Sequence, residues 1–193
     1  MNYVPIVVEQ SEKGERAYDL YSRLLRDRIV FIGRPFADDL ANSVVAQLLY
    51  LESEDAETDI NIYINSPGGY IHSALAIYNT MNYVKPDIRT IAFGCAASAA
   101  TLILAAGVKG KRTALPDTKI MLHQGRAGAQ GQIADIEIAA KELVKTQKRL
   151  NEIYSELTGQ PTKTITRDLD RDFWMTPIDA VEYGLIDEVA VNR

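Results

Sequence analysis

Ser98, His123, His72, Cys95 and a cluster of aspartates are the side chains of this chain that could do nucleophilic or acid–base chemistry. Ser98 lies in Gly94-Cys95-Ala96-Ala97-Ser98-Ala99-Ala100. Small residues on both sides meet the steric demand of a tight strand-to-helix turn that pushes a hydroxyl outward, where a base can reach it. A helix beginning there offers free backbone N–H groups and its positive dipole end to an oxyanion. The string is not G-x-S-x-G, and a serine so placed more often serves only as an N-cap. His123 ends a strand-like run beside the glycine-rich segment 125–131, the kind of loop on which catalytic groups collect. His72 falls within a helical pattern and reads as a packing or surface residue. Arg167-Asp168-Leu169-Asp170-Arg171-Asp172 supplies three carboxylates that could orient a histidine, and their spacing alone does not choose among them. Asp172 is favoured because Phe173-Trp174-Met175 follows it. An apolar run is expected to bury its neighbour, and a buried carboxylate needs a donor such as an imidazole N–H. Serine, histidine and aspartate in one chain are the parts of an acyl-transfer triad: nucleophile, general base and orienting anion.

Asn65-Ser66-Pro67-Gly68-Gly69 follows a strand and precedes a helix. It lacks G-x-G-x-x-G spacing, and Gly107–Arg112 lacks the pattern of a P-loop, so nucleotide binding is not expected. The segment is either a plain tight turn or a place where two glycines expose N–H groups to a developing oxyanion.

The elements that must carry these groups follow from periodicity. Ile88–Phe93 reads as a buried strand and Ala99–Ala106 as a buried helix. The near-continuous apolar stretch Ile91–Val108 could span a bilayer by length, but its glycine, serine and alanine content and its strand-like first third argue for a soluble core. Residues 1–14 read as an irregular arm, and Ala17, Tyr18, Tyr21, Leu24 and Leu25 as one face of a helix. Ile29–Ile32 is a strand. The next helix is capped by Asp38 or Asp39. Ile60, Ile62 and Ile64 alternate with polar residues at strand period. Arg112–Leu115 and Lys119–His123 are extended. A long helix starts at Ile133, with Ile133, Ile136, Ala140, Leu143, Gln147, Leu150, Tyr154 and Leu157 forming a heptad-like seam, and Gly159 and Pro161 stop it. That seam is expected to hold subunits together and not to bind substrate, with Leu143 and Leu150 near a subunit contact. Thr176-Pro177-Ile178-Asp179 is a helix start with a capping box, and Leu185–Val191 is a last strand. Strands alternating with helices indicate an α/β fold with a largely parallel sheet.

The chain has 193 residues, a length that fits one domain with a substantial core. A net charge of −5 argues against nucleic acid as the main partner. One cysteine rules out an internal disulfide and a cysteine-built metal site, and suits a reducing compartment. The first residues carry no basic stretch followed by a long apolar run, so no signal peptide is expected.

Taken together, INSPGGYIHSALAIYNTM, IRTIAFGCAASAATLILAAG, KGKR, IMLHQGRAGAQGQIADIEIAAKEL and DRDFWMTPIDAVEYGLID resemble the proteolytic subunits of the Clp protease, as does VPIVVEQSEKGERAYDLYSRLL near the N-terminus. The likeness runs in order along essentially the whole chain. It implies a crotonase-like α/β domain over 1–193, with an N-terminal arm at 1–16 and a protruding handle at about 124–158. It implies Ser98 as nucleophile, His123 as base, Asp172 as its orienting residue, and oxyanion N–H groups at Gly69 and Ala99. Substrate would be an unfolded polypeptide bound as an added strand along Gly69, Tyr70 and Ile71 and along the segment of Gly125 and Arg126. Tyr63, Tyr83 and Phe93 would form apolar pockets for loops of a Clp-type AAA+ unfoldase. Two stacked heptameric rings are implied, in the cytoplasm or the interior of a plastid or mitochondrion, with no metal, no cofactor and no membrane contact. ATP would belong to the partner.

The departures from the family lie near the site. Ala99-Ala100 stands where Met-Gly is common, Gly125 where proline usually follows the His-Gln pair, and Cys95 where a larger residue is common. All three triad positions are kept. The rival readings are a slow ring subunit that assembles with a more active paralogue, and an acyl-CoA enzyme of the crotonase fold. The latter needs no Ser-His-Asp set and would bind a CoA nucleotide.

Overall fold

The computed structural model describes residues 4–11, 14–126, 128 and 130–191. Residues 1–3, 12 and 13 of the expected arm, and 127 and 129 of the expected substrate-binding segment, lie outside the described residues.

The architecture is mixed α/β. β1 (Ile6–Ser11) and β2 (Gly14–Asp19) form an antiparallel hairpin. They are followed by α1 (Leu20–Arg26), β3 (Ile29–Ile32), α2 (Asp38–Glu54), β4 (Ile60–Ser66) and α3 (Ile71–Tyr83). Next come β5 (Ile88–Ala97), α4 (Ala99–Ala105), β6 (Arg112–Ala114) and β7 (Lys119–Leu122). The chain ends with α5 (Ile133–Thr158), α6 (Thr162–Asp168), β8 (Phe173–Met175), α7 (Pro177–Tyr183) and β9 (Glu188–Val189). The parallel sheet runs β3-β4-β5-β6-β9. Among the described residues no helix is long and apolar enough to cross a membrane, because Ile91–Val108 is divided between β5 and α4.

Period two along the strands decides which face is covered. Val30, Ile32, Ile60, Ile62, Ile64 and Ala92 point into one core shared with Val44, Leu48, Ile77, Leu102 and Ile103. Their alternates Ile29, Phe31, Asn61, Tyr63, Arg89, Ile91 and Phe93 line an open groove of about 730 Å³ on the other face. Phe31 stacks on Tyr63 at 6.3 Å and tilts against Phe93 at 5.4 Å. α4 is buried along its entire length, which is why its sequence is apolar all round.

β5 forks, and the fork decides where the chemistry sits. Its first half pairs with β6, Thr90 opposite Arg112. Its second half pairs with β7, Ala97 opposite Met121. Between the halves the β4–β5 register shifts, Gly94 adopts φ 66°, and Asn65 Oδ1 accepts the Cys95 N–H at 3.1 Å. β7 then pairs antiparallel with β8, Leu122 opposite Phe173.

Several expectations change. The arm is a hairpin, not an irregular segment. Glu9 in it pairs with Arg23 and, at 2.8 Å, with Arg26 of α1. The first helix begins at Leu20 because Asp19 caps it, accepting the Ser22 N–H at 3.0 Å, while Ala17 and Tyr18 are spent in β2. α2 is entered from Ala37. Asp38 and Asp39 lie in its first turn, and Asp38 accepts the Ser73 hydroxyl at 2.8 Å. The last strand is only Glu188–Val189, since Leu185 and Ile186 are turned back by bonds to the Ala180 carbonyl closing α7. The capping box at Thr176 and the stop at Gly159 are both present.

The C-terminal end is locked by a buried ion pair. Arg112, with its side chain 4% exposed, donates to both carboxylate oxygens of Asp187 at 2.6 and 3.0 Å and to the Leu157 carbonyl at 3.0 Å. Burial raises the Asp187 pKa, but the Arg112 contacts and the Gly110 N–H outweigh it and leave the carboxyl below its ordinary value. The unfolded chain therefore binds more protons in acid, and this contribution is present at neutral pH. It is lost as pH falls from about 4 through the lower folded pKa. Asp187→Asn leaves the guanidinium buried without its anion. It is expected to lower stability by about 3 kcal/mol and to flatten the acid limb of a denaturation-versus-pH profile; an unchanged melting curve would contradict this.

Candidate active site

Ser98 stands at the end of β5, at φ 57° and ψ −125°. That backbone region is strained for any residue but glycine. Its surroundings enforce it. The Ser98 N–H donates to the Met121 carbonyl at 2.9 Å, the Thr101 N–H to the Ser98 carbonyl at 3.0 Å, and the buried Tyr154 hydroxyl reaches the same carbonyl at 3.4 Å. The Thr101 hydroxyl sits between the carbonyls of Ala96 and Met121, at 2.9 and 2.8 Å. Ser98 occupies the N-cap position of α4, yet its side chain makes no capping bond. The hydroxyl instead lies 2.8 Å from His123 Nε2.

His123 follows directly on β7, and its Nδ1 is 3.0 Å from Asp172 Oδ1. The β7–β8 register accounts for this pairing: Leu122 faces Phe173, so the next residue on one strand meets the preceding residue on the other. Gln124 reinforces it, with its N–H on the Leu169 carbonyl at 2.6 Å and its Nε2 on the Asp170 carbonyl at 3.0 Å. The burial argument for Asp172 does not hold. Its side chain is 47% exposed and Trp174 is 54% exposed. The buried carboxylate is Asp168, which accepts from Arg167 Nε at 2.8 Å and the Tyr183 hydroxyl at 2.9 Å. Asp170 points to solvent near Arg171. His72 is exposed on α3.

The Pro67-Gly68-Gly69 loop packs on the serine turn more closely than a side chain would permit. A Cβ on Gly68 would lie 2.6 Å from the Ala97 carbonyl oxygen and 2.7 Å from Ser98 Cβ; one on Gly69 would lie 2.4 Å from the Phe36 carbonyl oxygen. Phe36 holds the loop through bonds from its N–H to the Gly68 carbonyl and from the Tyr70 N–H to its own carbonyl, at 2.9 and 3.0 Å. Those bonds leave the Gly69 N–H outside the pairing, and the Ala99 N–H is the first of α4. Both border the cleft into which Ser98 opens.

That cleft has a volume of about 660 Å³. One wall is Gly69, Tyr70 and Ile71, and another is Gln124, Gly125 and Arg126. Leu143, Val144, Gln147, Leu150 and Tyr154 of α5 close the third side, so the helix expected to hold subunits together also walls the cleft. Its second half is core, with Leu150, Ile153 and Tyr154 buried, while Ile133, Ile138 and Val144 are exposed. Gly125 donates its N–H to Gln147 Oε1 at 3.0 Å, a bond a proline could not make. Tyr63 and Phe93 line the sheet groove away from the cleft. Tyr83 lies apart from both cavities at the end of α3, 78% exposed. Burial pushes the Cys95 thiol up, away from thiolate chemistry.

Gln124, Thr101, Tyr154 and Gln147 have no site role in the sequence, where Gln147 and Tyr154 figure only in the helix seam. Gln124 alone carried a local signal, as the neighbour of the candidate base. The other three act through backbone atoms distant in the chain.

The family model described as Clp protease matches residues 12–193.

Two aspartates separate function from stability. Asp172→Asn is expected to lower kcat on short peptides by roughly four orders of magnitude, the cost of losing the anion that fixes an engaged imidazole. Asp168→Asn should leave hydrolysis largely in place while lowering stability by about 1–2 kcal/mol through weakened bonds to Tyr183 and Arg167. Peptide kinetics and thermal melts on both variants test this; the opposite pattern would reassign the orienting role.

Proposed function

The chain belongs to the Clp protease family, and we propose on that premise that it is a serine endopeptidase acting on unfolded polypeptide. The carrying observation is the unbroken line from Ser98 Oγ to His123 Nε2 and from His123 Nδ1 to Asp172, at 2.8 and 3.0 Å. With the ring proton on Nδ1 and donated to Asp172, Nε2 is free to take the Ser98 proton as Oγ attacks a peptide carbonyl carbon. Negative charge moves to the carbonyl oxygen, where the N–H groups of Gly69 and Ala99 can receive it. The imidazolium returns its proton to the departing amine as the C–N bond breaks, leaving an ester on Ser98. Water then attacks that ester, giving its proton to His123, which passes it to Ser98 Oγ as the ester C–O bond breaks and the acid leaves. No step calls on a metal or a cofactor.

The cleft suits an extended chain. Gly69–Ile71 and the segment beginning at Gly125 flank it as two edges against which a strand can pair. The small side chain of Ala99, where the family commonly has methionine, leaves its backbone N–H in place and reduces contact beside the nucleophile.

Within this reading the subunit works in two stacked heptameric rings with an AAA+ unfoldase on the outer face. The apolar side chains left open on the first half of α5 and the aromatic groove of Phe31, Tyr63 and Phe93 support that assembly.

A serine-directed fluorophosphonate should label the wild-type protein and not Ser98→Ala, and Ser98→Ala should cleave no fluorogenic peptide while keeping its assembly size. Labelling of the variant would remove Ser98 as the nucleophile. Retention on immobilised CoA without any labelling would favour an acyl-CoA enzyme. Tyr63→Ala should lose ATP-dependent protein degradation with the partner while keeping small-peptide cleavage; equal loss of both would point to misfolding.

A further inference from the structure

The cleft beside Ser98 carries a charge that peptide hydrolysis itself does not use. Among the described residues its walls are apolar or neutral-polar except for His123 and one permanent cation, Arg126. The Arg126 side chain is 81% exposed. Its nearest carboxylate is Asp172, with Nη2 to Oδ1 at 3.7 Å. That oxygen is already engaged with His123 Nδ1. A pair this long and this open to water holds the guanidinium weakly, and most of its five N–H donors remain available.

The backbone before Arg126 is anchored. Gly125 donates to Gln147 Oε1, Gln147 Nε2 donates to Asn151 Oδ1 at 2.8 Å, and Asn151 Nδ2 donates to Thr166 Oγ1 at 3.0 Å. This chain of bonds ties the segment to α5 and, through Asn151, to α6. The cation is thus presented from a fixed base over a site whose substrate is a peptide. A planar guanidinium with free donors, set in a partly enclosed cleft, recognises a carboxylate best.

We infer that Arg126 is a specificity-determining residue that favours polypeptide segments with an aspartate or glutamate close to the scissile bond. The inference rests on the serine endopeptidase reading and adds a substrate class to it. The contact is made by the substrate side chain, and because Arg126 also lies 3.7 Å from Asp172 Oδ1, its variants are compared by charge preference and not by absolute rate.

The test uses the assembled full chain and fluorogenic peptides that differ only by Glu, Gln or Lys at each position flanking a fixed apolar residue. Active sites are counted by fluorophosphonate labelling. At low salt the wild type should show, at one position at least, a kcat/KM about fivefold higher for Glu than for Gln, the size of one partly exposed charge-assisted contact. The ratio should shrink at about 0.5 M salt, where the screening length falls to a few ångströms. Arg126→Gln should bring it near one, and Arg126→Glu should reverse it so that Lys is preferred over Gln. A purely structural role for Arg126 would change rates without reversing charge preference. Wild-type protein that labels and cleaves with no Glu preference at any position, or an Arg126→Glu ratio unchanged from wild type, overturns the inference alone. A chain that neither labels nor cleaves overturns the endopeptidase reading and this inference together.

Discussion

The site depends on one close contact, the stacking of Gly68 and Gly69 against the backbone of Ala97–Ala99 on one side and Phe36 on the other. Any side chain at Gly68 would meet the Ala97 carbonyl and Ser98 Cβ, and any at Gly69 would meet Phe36. The contact brings a loop after β4 to the turn after β5 with no intervening atoms. Hydrogen bonds of Phe36 to Gly68 and Tyr70 fix the loop from behind. Backbone N–H groups are positioned by the packing of rigid backbone, so they need no reorganisation when charge appears nearby. The smallest side chains of the sequence gather at this point because every other residue type would force the two turns apart.

The strain at Ser98 is sustained by the same economy of space. A non-glycine residue at positive φ costs on the order of 1–3 kcal/mol. Here that cost is offset by Thr101, Met121 and Tyr154, all bonded to the turn from buried positions. The hydroxyl is left without a capping partner and meets His123 instead. The fork in β5 matters equally. Because its second half pairs with β7 and not with β6, Ser98 and His123 leave adjacent parallel strands at the same end. The antiparallel β8 then returns Asp172 beside His123. The carboxyl ends of parallel strands are where α/β sheets place their chemistry, and this sheet does so with its register alone.

The two faces of the sheet serve different ends. One is closed by α2, α3 and α4 and buries its isoleucines completely. The other keeps Phe31, Tyr63 and Phe93 in an open groove beside Asn61 and Arg89. α5 is divided in the same way. Its second half is part of the core, residues from Leu143 to Tyr154 wall the cleft, and Ile133, Ile136 and Ile138 of its first half are exposed. A single long helix therefore joins the cleft beside Ser98 to an exposed apolar surface.

The sequence by itself determined the alternation of strands and helices, the small-residue turn at Ser98, the glycine loop and the capping box at Thr176, because each is written in local spacing or in the sterics of one turn. It also narrowed the base to His123, since the other histidine falls in a helix. It misread the N-terminal hairpin, whose strands face no core and so lack a clean alternation, and it started α1 too early by overlooking Asp19 as its cap. Only the tertiary structure shows which of the three aspartates lies beside His123. The sequence argument reached Asp172 through the family resemblance and through an expected burial that does not occur; the strand register opposite His123 places it there, and that register pairs residues as far apart in the chain as Leu122 and Phe173. The same is true of Tyr154 and Gln147, and of the approach of Arg126 to Asp172 at 3.7 Å. Their roles come from backbone atoms and cavities that exist only once distant segments have packed, and no spacing along the chain records them.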